Sequence, residues 1–415
     1  MTEPDAVVIG AGLAGLACAL RLHEEGLSVR VLEASDATGG RVRTDRVDGF
    51  LLDRGFQVFL SAYPDAQRLL DYEALGLREL YPGALVRADG RFRKVADPFR
   101  RPYDAVASLR SRVGTVRDVP RLARLRHRAQ AGTVEGLLSR SEMTAIEALR
   151  AAELSSGLVE RFFRPFLGGI FLERELSTSS RMLDFVLRML SLGYAALPAD
   201  GMGAIPAQLA AGLPGGSVRT GTRVDAIQDR AAVLASGERV EVAAIVVAAD
   251  GTEAARLLGI PEPAWRSVAC LYFAADAPPV EGPFLVLDGD GEGPVNHLCV
   301  PSEVAPTYAL DGRALVSASV LGSPPQSDEE LEATVRRQLA GWFGPAVESW
   351  AHLRTYRIAH AVPVREPPSL EPKDRAVRLR PGLYVCGDHR ETASLQGALA
   401  SGRRGAQAVI KDLGR

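Results

Sequence analysis

Only four cysteines occur in the 415 residues, Cys18, Cys270, Cys299 and Cys386, and no two stand in a C-x-x-C pair. Their scatter argues against a disulfide framework or a structural zinc site and fits a reducing cytoplasm. Histidine is as sparse, with six residues and no H-x-x-x-H spacing, so no metal ligand set is expected. Lysine is absent between Lys94 and Lys373. Long apolar runs are missing too: the longest uncharged one, Val7 to Leu20, is too short to cross a bilayer. Glu3 and Asp5 stand where a secretory signal would carry positive charge. The formal net charge is only −2, which points to no polyanionic partner and leaves nucleic acid out of the expected ligands. These absences describe a soluble or peripheral cytoplasmic chain. Its 47% hydrophobic content and its length suffice for a large core in two or three domains.

What is present is concentrated in the first sixty residues. Asp5-Ala-Val-Val-Ile-Gly10 reads as a short buried strand, and it opens into Gly10-Ala-Gly12-Leu-Ala-Gly15, a G-x-G-x-x-G turn. Leu13, Leu16, Ala17 and Leu20 then recur at helical spacing until Gly26. A second strand, Ser28 to Leu32, ends on Glu33, about twenty residues beyond the glycines. Strand, glycine turn, helix, strand and acid in this order describe a dinucleotide grip. Gly10 permits the turn, Gly12 admits the pyrophosphate to the backbone, and Gly15 lets the helix pack on the strand. The free amides of the first helical turn, at Leu13 and Ala14, face the phosphates. Glu33 can accept from both ribose hydroxyls, and the uncharged Ala34 and Ser35 offer no cation for a 2′-phosphate, which argues against NADP. This unit alone does not separate NAD from FAD.

Thr38-Gly39-Gly40-Arg41, followed by Asp48-Gly-Phe-Leu-Leu-Asp53-Arg-Gly55-Phe56, resembles the second signature of the flavin-dependent amine oxidase superfamily, which also holds protoporphyrinogen oxidases and phytoene desaturases. The resemblance implies that Gly39, Gly40 and Arg41 lie along the FAD pyrophosphate and that Gly55 and Phe56 pass the flavin ring. A third matching piece closes the chain: Gly382-Leu-Tyr-Val-Cys-Gly387-Asp388, then Ser394-Leu395 opening the final helix. There Gly387 and Asp388 would meet the ribityl chain, with Ser394 as helix cap and the helix start facing the N1/C2=O edge of the reduced ring. Val224 matches a valine that meets the adenine through its backbone.

Between these motifs the chain alternates in character. Ser61 to Leu75 reads as helical, Ser139 to Leu197 as largely helical, Ser217 to Gln228 as one strand, and Ala232 to Ala243 as a hairpin about Ser236-Gly237. Ala244 to Ala249 reads as a buried strand, and Trp265 to about Glu371 as a mostly antiparallel sheet with one helix near Glu329 to Trp342. Asp288-Gly-Asp-Gly-Glu-Gly293 invites a calcium reading, but the twelfth position of such a loop would be Cys299, so a hairpin turn is expected. From Arg87 to Arg128 thirteen Lys/Arg stand against four Asp. That segment reads as a solvated basic surface or, more sharply, as a peripheral patch on anionic lipid through which an apolar substrate enters.

The expected fold is thus α/β. A discontinuous Rossmann-type FAD-binding domain comprises residues 1–60, 200–264 and 372–415. An α+β substrate domain comprises a helical part, 61–199, and a sheet part, 265–371. No nucleophile or metal set is required by hydride transfer to a flavin. The amine-oxidase lysine near flavin N5 is replaced by Cys270, and the aromatic before the last helix by Ser394. The segment Phe162 to Phe171 and Tyr356-Arg-Ile-Ala-His-Ala-Val-Pro363 resemble instead the desaturase and protoporphyrinogen oxidase branch. Phe166, Tyr272 and Tyr356 are therefore candidate substrate-lining residues, and Tyr356 and His389 candidate catalytic ones. No cysteine lies between Trp350 and Pro381, where covalent flavin is attached in some amine oxidases, so the FAD is expected to be non-covalent. The leading expectation is an FAD-dependent dehydrogenase or desaturase of a small lipophilic molecule, isoprenoids among the candidates, with oxygen or a quinone as electron acceptor. The alternatives are an oxidase of amines or of a tetrapyrrole-like ring, and a flavin-binding interaction protein without turnover.

Overall fold

Strand Ala6–Ile9 is buried at every residue, as a central parallel strand covered on both faces must be. In the computed structural model, which describes residues 4–104, 113–370 and 375–414, it lies inside a six-stranded sheet. The order is Val218–Arg219, Val29–Leu32, Ala6–Ile9, Ala244–Val247, Leu383–Val385 and Arg378–Arg380. All neighbours are parallel except the last pair. Side chains alternate between faces with period two. Ala6 and Val8 face helices Leu13–Glu24 and Leu395–Asp412, while Val7 and Ile9 join Val224, Ala232 and Val240 of a small antiparallel sheet on the other side. The two helices cross at Gly402, where a Cβ would stand 2.1 Å from the Ala14 carbonyl oxygen.

The expected single strand Ser217 to Gln228 is two strands in different sheets. Gly221, at φ +60°, turns the chain out of the parallel sheet after Arg219. The chain then enters the antiparallel sheet formed by Val224–Gln228, Ala231–Leu234 and Arg239–Glu241. The helix expected from Ser61 to Leu75 is confined to Pro64–Leu69.

A seven-stranded sheet forms the second layer system: Ala351–Pro363, Trp265–Ala275, Ala314–Leu321, Val295–Cys299, Leu285–Asp288, Gly83–Ala88 and Arg91–Ala96. Here the structure departs from a division into a helical 61–199 and a sheet 265–371. The hairpin Gly83–Ala96 extends the sheet at its edge, pairing in parallel with Leu285–Asp288. One face is covered by helix Asp328–Phe343, which Ser327 and Glu330 start with a reciprocal capping box. Its buried Leu331, Val335 and Leu339 fall every four residues against Leu271 and Phe273. The loop after Asp288 is a turn, as expected: Asp288 accepts from the Gly291 N–H at 3.0 Å. The other face looks toward helices Arg164–Phe171 and Ser180–Leu192. A π-helical turn, Val159–Phe163, precedes Pro165, which has no N–H to give to a regular ladder. Among the described residues no helix is long and apolar enough to cross a membrane. Part of the basic segment, 105–112, and the expected boundary at 371/372 lie outside the described residues.

Candidate functional site

The three glycines of the first turn divide by what surrounds them. Gly10 has φ +105°, and a Cβ there would stand 2.8 Å from the Ala248 carbonyl oxygen; at Gly15 it would stand 1.9 Å from that of Gly10. Both are required by the fold itself. At Gly12 a Cβ would meet nothing within 4 Å, and Gly12 begins the helix with no side-chain cap. That open space and uncapped helix start form a cradle for an anionic group. Beside it Glu33 accepts from the Ala11 N–H at 2.7 Å, and from the Ser35 N–H and hydroxyl at 2.8 and 2.7 Å.

The second signature docks directly onto the first. Gly39 donates its N–H to the Ala11 carbonyl at 2.8 Å, and Gly40, at φ +58°, would bring a Cβ within 3.4 Å of Gly12 Cα. Arg41 then reaches across the chain: its Nη2 donates to Asp388 Oδ1 at 2.5 Å and its Nη1 to the Ala361 carbonyl at 2.9 Å. Burial opposes ionisation of Asp388, but the Arg41 guanidinium outweighs it and holds the carboxyl below its ordinary range. Arg365 supplies a second buried cation, donating to the carbonyls of Asp388 at 2.7 Å and Glu391 at 3.0 Å. Burial pushes its pKa down to about 10, which still leaves it charged at neutral pH. Ser394 accepts from the Gly397 N–H at 3.0 Å and so caps the last helix.

These pieces line one continuous cavity of ≈ 730 Å³. One end carries Gly10, Gly12, Leu13, Ala14, Glu33, Ala34 and Val224; the middle carries Gly39, Gly40, Arg41, Gly55, Phe56, Gly387, Asp388, Ser394 and Leu395. Beyond Phe56 it opens into a chamber walled by Phe162, Phe166, Ile170, Phe185 and Leu190. Every expected cofactor residue except Gly15, which is buried in the strand–helix contact, therefore lines the same space, as does Phe166.

Tyr272, Tyr356 and His389 do not. Tyr272 shares the sheet face of Val268, which does line the cavity, but lies under the hairpin Thr44–Asp53 and donates its hydroxyl to the Asp53 carbonyl at 2.9 Å. Tyr356 is covered by the same hairpin and donates to Asp45 at 2.7 Å. His389 folds back on its own turn: a Cβ on Gly387 would stand 2.5 Å from its ring, and neither ring nitrogen has a partner. Cys270, too, is buried away from the cavity, its Sγ 3.3 Å from the Ser317 hydroxyl. Among the lining residues that the sequence reading passed over are Arg365 and His297. The only signal for either was a polar residue inside or just after an apolar strand. Among the described residues no His/Cys/Asp/Glu group could hold a metal ion, and no lysine lines the cavity.

The family profile described as flavin containing amine oxidoreductase matches residues 13–410. Coproporphyrinogen III oxidase of Propionibacterium freudenreichii is 32% identical over 176 residues, which is 40% of this chain and 33% of that protein. The 1-hydroxycarotenoid 3,4-desaturase of a Flavobacterium is 43% identical over 54 residues, 13% of this chain and 11% of that one. The chain thus aligns with a third or less of the length of these relatives. Cyclohexylamine oxidase from Brevibacterium oxydans superposes with a TM-score of 0.71 at 20% identity, covering 100% of both chains.

Proposed function

The chain belongs to the flavin-containing amine oxidoreductases, and from that premise we propose that it is a dehydrogenase or desaturase using non-covalent FAD to oxidise a small lipophilic molecule, isoprenoid polyenes among the candidates. It is a flavin-dependent oxidoreductase, and its relatives named above act on porphyrinogens, carotenoids and amines. The observation that carries the finer reading is the continuity of the cavity from the Gly12 cradle to the Phe166 chamber.

In this reading Glu33 accepts from the adenosine ribose, the Gly12 and Gly39–Gly40 backbone and Arg41 hold the pyrophosphate, and Asp388 meets the ribityl hydroxyls. The bound isoalloxazine supplies a hydride acceptor at N5. What remains for the chain is to hold a C–H bond at the Phe56 end of the chamber and to keep water out, which Phe162, Phe166, Ile170 and Phe185 are suited to do. An amine substrate is less well served, because no lysine lines the cavity and Cys270, which stands at the position resembling the amine-oxidase lysine, is buried away from it. The segment bearing Phe99, Tyr103 and Val116, which are 42%, 93% and 69% exposed, supports entry from a lipid surface, since Phe99 also lines the chamber.

Anaerobic titration of the purified yellow protein with polyenes, porphyrinogens and amines tests the reading. Bleaching by a polyene, with reoxidation by quinone rather than oxygen, is the expected result; reduction by amines with rapid peroxide formation would replace it, and no reduction by any donor would leave a binding protein. Acid precipitation should release FAD into the supernatant. Sedimentation with anionic vesicles tests the lipid contact, and the absence of salt-sensitive binding removes it.

A further inference from the structure

The chamber wall is mainly apolar, and among the polar side chains that line it is His297, whose protonation the structure determines. His297 lies on strand Val295–Cys299, opposite Ser319 in the register, and both line the chamber. Its ring is 5.6 Å from that of Phe56, the residue at the boundary between the cofactor end and the chamber. Helix Arg164–Phe171 approaches the ring's Nδ1 edge at Gly169, where a Cβ would stand 2.8 Å from Nδ1.

The neighbour Asn296 sets the tautomer. Its side-chain nitrogen donates to the Pro165 carbonyl at 2.8 Å, and a carbonyl can only accept, so the amide cannot be turned over. The same nitrogen lies 3.0 Å from His297 Nδ1 and brings it the second N–H. Nδ1 must then accept, and a neutral ring so held carries its proton on Nε2. Burial pushes the pKa of His297 down to about 4, so the ring is neutral at physiological pH. An Nε2–H in this state donates; it does not abstract a proton.

We propose that His297 is a specificity-determining donor, and that the substrate is an apolar molecule bearing an acceptor oxygen of the ketone, aldehyde, ester or ether class, which receives the His297 Nε2–H while the hydrocarbon portion fills the chamber beside Phe166. This rests on the function proposed above and narrows it. A plain hydrocarbon would leave a buried donor unpaired, which disfavours its binding.

The test uses flavin-loaded protein and two probes of one shape: methyl decyl ketone, and the alkene in which a methylene replaces its oxygen. Binding is read from the perturbed flavin absorbance. The ketone should bind about tenfold tighter than the alkene. His297→Gln, which keeps an N–H at that place, should preserve the preference, and His297→Phe should abolish it. If both probes bind and His297→Phe keeps the preference, the inference fails while the apolar chamber stands. If neither probe perturbs the flavin of the parent protein, the proposed chamber fails, and this inference with it. Isotope-labelled histidine NMR on the parent protein gives a readout independent of folding of the variants. An Nε2–H tautomer shifted by the ketone but not by the alkene supports the assignment; an Nδ1–H tautomer overturns it.

Discussion

Replacing Gly12 by alanine separates the fold's requirements from those of the ligand. In the free protein the new methyl meets nothing within 4 Å, and the residue already has φ −73°, a value alanine adopts without strain. The substitution should therefore leave the apo protein intact and even stabilise it by about 0.4–1 kcal/mol through the unfolded chain. With an unfolding entropy of roughly 0.9 kcal/mol per degree for 415 residues, that is about a one-degree rise in Tm. The same methyl, however, fills the space in which the pyrophosphate is proposed to sit. Flavin at a thousandfold excess over its Kd should raise the parent's Tm by about 4–5 °C, and Gly12→Ala should lose most of that shift. Gly15→Ala is the control: its Cβ would stand 1.9 Å from the Gly10 carbonyl oxygen, so it should fail to fold with or without flavin. Differential scanning fluorimetry with and without FAD reads all three proteins. A Gly12→Ala protein that retains the full flavin shift would refute the cradle assignment.

Three further outcomes follow from the geometry. Asp53 is buried among the Thr44 hydroxyl, the Met202 N–H and the Tyr308 hydroxyl, and burial raises its pKa to about 6. A raised folded pKa favours the fold below the unfolded value, near 4, and that contribution, about 2–3 kcal/mol, is lost as pH rises through 6. Asp53→Asn should flatten this part of the stability–pH curve, measured by denaturant unfolding between pH 4 and 7; an unchanged slope would show that Asp53 is already ionised. Tyr356→Phe removes only the bond to Asp45, outside the cavity, so flavin reduction rates should stay within about twofold, and a loss approaching a hundredfold, as for a removed general acid or base, would restore Tyr356 as catalytic. Arg41→Ala strands the buried Asp388 carboxylate, which should lower Tm by about 3 °C, a cost of roughly 3 kcal/mol, and release flavin on gel filtration; a stable, yellow variant would argue that Arg365 suffices.

The sequence on its own determined what depends on near neighbours. Gly10, Gly12 and Gly15, the strand that precedes them and Glu33 lie within thirty residues, and their roles follow from local dihedrals and spacing. The Ser394 cap, the Ser236-Gly237 turn and the helix behind Glu330 were legible for the same reason. Resemblance carried the reading across the longer distances, to Arg41, Phe56 and Asp388. Only the tertiary structure decided that Arg41 and Asp388, 347 residues apart, form an ion pair, and that the Gly83–Ala96 hairpin extends a sheet built mainly of residues beyond 264. It also decided which residues of a strand meet the cavity. Val268 and Tyr272 share one face by the period of two, but the Thr44–Asp53 hairpin covers Tyr272 and leaves Val268 open. His297 was silent in the sequence because a polar residue in an apolar strand acquires meaning only from what packs against it, here Phe56, Asn296 and the missing side chain of Gly169. Spacing along a chain specifies local conformation, whereas a site between sheets depends on which distant surfaces close over one another.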